Sequence, residues 1–147
     1  MIGVKNMMND IANFGIKKYK IGNEEIEFNP TDLNIMERIE QAAENMKSKA
    51  AELSKEFGGS LFYGEAHKKF DEYIREQIDF AFNAEISNRL FKNVSSVAYD
   101  GKNFYFEVVM RALIGICEAE TKSRYRANPE VQKYINSYKG KRKKRRR

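Results

Sequence analysis

At 147 residues, 41% of them hydrophobic and including ten Phe and eight Tyr, the chain has the size and apolar content of one domain built on one core. A single cysteine rules out an internal disulfide, one histidine and one cysteine leave too few soft ligands for a zinc site, and no apolar run approaches the ~20 residues of a membrane span. The net charge of +6 is set by residues 139–147, which carry eight of the 27 Lys and Arg side chains and without which it would be −2.

The first thirteen residues alternate polar and apolar without a continuous apolar core, so no export signal is expected. Together with the lone Cys117, which lies in an apolar run and reads as a buried, inert thiol, this points to a reducing compartment and a cytoplasmic protein. Residues 14–29 read as a hairpin. Lys18–Ile21 and Glu24–Phe28 alternate in the manner of half-buried strands, and Gly22-Asn23 supplies a two-residue turn. Two strands alone are marginal in water, so the hairpin must lie on helices of its own chain or on a partner's strand.

At Asn29-Pro30-Thr31-Asp32 the chain turns into a helix, with Asn29 or Thr31 as cap and Pro30 at the first helical position. The apolar period then changes from two to about three and a half. Met36, Ile39, Ala43, Met46, Ala50, Leu53 and Phe57 form a seam that ends at Gly58-Gly59. A second helix is expected from Glu65 to about Phe82, with Ile86, Leu90 and Phe91 extending its pattern after a bend. Asp100-Gly101 marks a turn. The run from about Asn103 to Ser123 is apolar on more than one side, which nominates it as the central helix, and a short helix from Pro129 to Tyr138 closes the domain. The fold class expected is mainly α: a small helical domain over residues 1–138 with an N-terminal β-hairpin, followed by a basic tail, 139–147, that is disordered because like charges cannot fold on themselves.

Chemistry is sparse along this chain. His67 falls on the polar side of a helix start and reads as an exposed side chain. The carboxylates Glu37, Glu40 and Glu44 alternate with lysines as solvated ion pairs do. Gly58-Gly59-Ser60 lacks the Lys that a phosphate loop needs and fits a helix end better. No catalytic, cofactor-binding or metal-ligating residue is assigned, and the expectation is a non-enzymatic protein without a cofactor.

From Ile26 to Ile39 the chain resembles the tail assembly chaperones of long-tailed phages and prophages of Gram-positive bacteria, which commonly open with a strand ending in Phe-Asn-Pro-Thr-Asp, here Phe28 to Asp32, and a helix with a Glu-Arg pair, here Glu37-Arg38. The resemblance is close over the hairpin and first helix and extends to the remainder only in length and helical character. It implies a protein that binds the tape-measure protein and the major tail protein during tail assembly in the host cytoplasm, without entering the finished tail. It also implies that the basic end can lie beside a programmed frameshift.

Candidate partner-binding residues are Ile26 and Phe28 on the hairpin and Met36, Ile39 and Met46 on the seam, whose methionines can repack against varied surfaces. An ordinary core face accounts for the same pattern. Lys141, Arg142, Lys143, Lys144, Arg145, Arg146 and Arg147 form a candidate electrostatic segment, through which alone nucleic acid would bind. Self-association, a nucleic-acid-binding role and a structural tail or connector subunit stay open beside the chaperone reading; a membrane partner is not expected.

Overall fold

The computed structural model describes residues 11–134, 136 and 137. The hairpin consists of β1 (Lys17–Ile21) and β2 (Glu24–Phe28), antiparallel and in register from Ile21 opposite Glu24 to Lys17 opposite Phe28. Gly22 has φ of +60° at the first central turn position, where a II′ turn calls for glycine. Alternation then sorts the side chains. Lys18, Lys20, Glu25 and Glu27 face solvent, and Ile26 and Phe28 are both about 1% exposed in the core.

Helix α1 (Ile35–Glu56) begins five residues after Pro30, later than the sequence reading placed it. Two side-chain turns occupy the intervening residues. Asn29 Oδ1 accepts from the Thr31 amide at 3.1 Å and hydroxyl at 2.9 Å, and Asp32 Oδ1 accepts from the Asn34 amide at 3.0 Å. Such local bonds compete with helix initiation, so the Asn-Pro-Thr-Asp segment becomes a joint between strand and helix.

α2 (Gly64–Phe82) returns antiparallel to α1. Its rungs run the length of the pair: Arg38 Nε donates to the Ala81 carbonyl at 3.1 Å, Asn45 donates to Gln77 at 2.9 Å, Lys49 lies over the Tyr73 ring, and Lys69 pairs with Glu56 at 3.7 Å. Asn83, in the left-handed conformation, ends α2. The short α3 (Ser87–Phe91) follows, its first amides capped by Asp79 of α2, which accepts from Ile86 N at 2.9 Å, Ser87 N at 2.8 Å and Ser87 Oγ at 2.9 Å. A single bridge between Tyr99 and Phe104 spans the Asp100-Gly101 turn, and α4 (Tyr105–Arg126) follows it. Residues 129–134, 136 and 137 are helical as well, so the molecule is mainly helical with an N-terminal hairpin, as the sequence reading expects.

The central element is α2, a correction to the assignment of that place to the last long helix. Ile74, Ile78, Ala81 and Phe82 are essentially inaccessible. Along α4 only Val109, Leu113 and Cys117 are buried, and Val108 is 46% exposed. Both helices have the apolar content of a core helix, but only one side of α4 meets other elements of this fold. Ile26 and Phe28 of β2, Ile35 and Ala42 of α1, and Leu90 and Phe91 of α3 complete the core, with Phe28 edge-on to Phe82 at 5.8 Å.

Candidate functional site

The five candidate partner-binding residues separate into three environments. Ile26 and Phe28 serve the core, and nothing outside the folded protein can reach them. Met36 is 52% exposed. Ile39 and Met46 are half-buried and line a cleft of about 320 Å³ between α1 and α4, opposite Phe106 and Met110. The inward side of α1 is Ile35, Ala42 and Leu53; Leu53 belongs to the seam read in the sequence, whereas Met36 and Ala43 of that seam turn outward beside the buried Ile35 and Ala42. Tertiary packing chose the neighbouring row because Arg38 and Asn45 of α1 are both occupied in holding α2. Phe106 and Met110 were not singled out together in the sequence. Their one-turn spacing is a signal for a shared face, but the cleft arises only once α4 is laid beside α1.

A second, larger cleft of about 600 Å³ opens between the hairpin turn, the segment after α3 and α4; Ile21, Tyr99, Tyr105, Val108 and Ala112 contribute to its wall. Beside it Phe104 stacks on Phe62 at 6.2 Å and on Phe106 at 5.9 Å, and lies 5.0 Å from Tyr99. Phe62 and Tyr99 are more than half exposed, so this aromatic ladder extends the apolar surface along one side of the molecule.

The Asn-Pro-Thr-Asp motif is occupied inside the fold. Thr31 Oγ1 accepts from Arg124 Nη1 at 2.9 Å, the same nitrogen reaches the Gly15 carbonyl at 3.2 Å, and Asp32 holds Arg38 at 2.6 Å. Gly15 has φ of +74°, and a Cβ there would lie 2.7 Å from Asn29 Oδ1. The motif thus ties the hairpin entrance, the start of α1 and the end of α4 together.

His67 is half-buried, not exposed as the sequence reading had it, and its Nε2 lies 2.7 Å from Ser95 Oγ, tying α2 to the segment after α3. Burial pushes the Cys117 thiol up to about 11, which keeps it protonated and unreactive at neutral pH. Among the described residues no cluster of three or more His, Cys, Asp or Glu could hold a metal ion, and no helix is long and apolar enough to cross a membrane. The candidate electrostatic residues, Lys141 to Arg147, lie outside the described residues.

No curated protein and no solved structure matches the chain. A family described as of unknown function, DUF6673, matches residues 22–147, from the hairpin turn onward, and the chain belongs to that family.

Proposed function

We propose that the protein is a non-enzymatic tail assembly chaperone that holds the tape-measure protein, and meets the tail-tube subunit, while a phage or prophage tail is built. The observation that carries this reading is the cleft between α1 and α4. Met46 and Met110 offer flexible, polarisable side chains beside Ile39 in an open apolar groove, the kind of surface that accepts an amphipathic helix without demanding one sequence. The likeness of Phe28 to Asp32 to the strand-to-helix joint of such chaperones supports the same role, with the motif setting the angle at which α1 presents the groove.

Capture of a tape-measure fragment by the full chain tests the proposal, and a long helical open reading frame beside the gene is the expected source of that fragment. Ala43 lines the groove and is exposed, so Ala43→Glu leaves the core untouched. It is expected to weaken capture about tenfold, as a charge placed in an apolar contact does. Deleting residues 139–147 is expected to leave capture intact. No capture by the unaltered chain, or capture that Ala43→Glu leaves unchanged, would sink the assignment; salt-sensitive DNA or RNA binding by the unaltered chain, abolished by deletion of 139–147, would favour the nucleic-acid reading.

A further inference from the structure

The outer face of α4 has no partner within the described fold. Val108, Ala112, Gly115 and Ala119 follow one another at steps of four, three and four, and all four are exposed. That is the spacing of a two-helix seam, and Val108 and Ala112 also line the larger cleft. Gly115 stands in the middle of a 22-residue helix, where glycine is destabilising relative to alanine. A Cβ at this position would meet nothing within 4 Å, so nothing in the chain's own packing calls for glycine here. Small residues at seam positions let a second helix axis come close.

The charges beside the seam identify that helix and its direction. Arg111 and Glu118 flank it, both exposed. Arg111 donates to Asn103 Oδ1 at 2.8 Å and, more weakly, to the Glu107 carbonyl at 3.4 Å, and among the described residues neither Arg111 nor Glu118 has an ion-pair partner. In heptad terms Val108 and Gly115 occupy d, Ala112 and Ala119 occupy a, and Arg111 and Glu118 occupy g. In a parallel pair each g residue faces an e residue, so Arg111 would face Ile116 and Glu118 would face Ser123. In an antiparallel pair g faces g. With Ala112 layered on Gly115 of the partner subunit, and Val108 on Ala119 of the partner subunit, Arg111 meets Glu118 of the partner subunit, and the two-fold axis repeats the pair.

From this self-complementary pattern we infer that the outer face of α4 docks a second copy of the chain, antiparallel, across the Ala112/Gly115 seam. The contact is about two heptads long, which places it among weak, reversible interfaces with a dissociation constant on the order of 10 μM. The pairing does not depend on which client the protein serves.

Sedimentation equilibrium of the full chain up to about 100 μM tests this, a concentration well above the expected constant. The expected result is a reversible approach to twice the 17.2 kDa chain mass. Arg111→Glu and Glu118→Arg, each of which sets like charges face to face, are expected to weaken association about tenfold or more, and the double exchange to restore it. Both positions are exposed, and circular dichroism confirms that each variant is folded. A monomer throughout the range overturns the inference, and so does a dimer indifferent to the single reversals or not recovered in the double exchange. Because the readout is mass, a failed dimer and a failed capture of tape-measure fragment are separate results.

Discussion

Asp71 and Arg75 do more for this fold than their place on an exposed-looking helix suggests. Asp71 Oδ1 accepts from both the amide and the hydroxyl of Ser96 at 2.7 Å and from Arg75 Nε at 3.3 Å. Arg75 in turn donates to the Lys92 carbonyl at 3.2 Å and the Val94 carbonyl at 2.8 Å, and lies over the Phe91 ring. Burial pushes the Asp71 carboxyl up, yet the Ser96 donors and the Arg75 guanidinium outweigh it and hold it below the ordinary value. Asp32 is held low chiefly by its hydrogen bond from Arg38. Both carboxylates therefore stabilise the fold fully above about pH 4 and lose that contribution as pH falls through their lowered native values. Asp71→Asn is expected to cost about 2 kcal/mol, the scale of bonds to a charged group, read as a lower urea midpoint at neutral pH. The combined Asp32→Asn and Asp71→Asn variant should show a flatter fall of that midpoint between pH 5 and pH 2 than the unaltered chain, and an equal slope would refute the assignment. At the other end, burial raises both Tyr19 and Cys117, the latter from 9.0 to about 11. Stability is then expected to decline as pH climbs from about 9 to about 11, and Cys117→Ala should remove part of that decline. Within the Asp71 network only the i,i+4 pairing with Arg75 is marked in the sequence; Asp71 and Ser96 are 25 residues apart and nothing local marks them as partners.

Among the elements, the hairpin was the most legible, because alternation and a glycine turn fix strand register locally: the expected Glu24–Phe28 is β2 as found, and β1 differs only by including Lys17. The helices were legible in existence and less so in rotation and ends. Of the apolar seam read along α1, Leu53 is buried and Ile39 and Met46 pack half-buried against the core, while Met36 and Ala43 turn outward beside the buried Ile35 and Ala42, since periodicity gives a stripe but the neighbouring helix decides which flank is covered. The candidate site was legible in part. Ile39 and Met46 belong to the α1–α4 cleft, whereas Ile26 and Phe28 show the strand pattern of core residues and are core. α3 depends on α2 for its start, because Asp79 supplies the capping oxygens that no residue of α3 provides. Asp79→Ala is expected to cost about 1–2 kcal/mol. Hydrogen exchange should quicken at Leu90 and Phe91 before it does in the middle of α2, and uniform quickening would argue against a local cap.

For the molecule as a whole, sequence distance divides the fold in two. α1 and α2 are joined by residues 57–63 and pack along each other, their side-chain bonds spanning up to 43 residues. The hairpin entrance and the end of α4 meet only through long-range bonds, the Arg124 to Gly15 contact spanning 109 residues. Closing a long loop is entropically slow relative to closing a short one. The helical pair is thus the expected nucleus, and the clasp between Gly15, Thr31 and Arg124 is expected to form after the rate-limiting step. Arg124→Met is expected to speed unfolding several-fold and leave refolding nearly unchanged, a partition that stopped-flow chevrons measure directly. An equal effect on both arms would place the clasp in the nucleus instead. The Asn29 to Asp32 joint, held by Arg124 through Thr31, is then expected to act as a kinetic latch: it would govern how long the molecule stays folded once made, not how quickly it gets there.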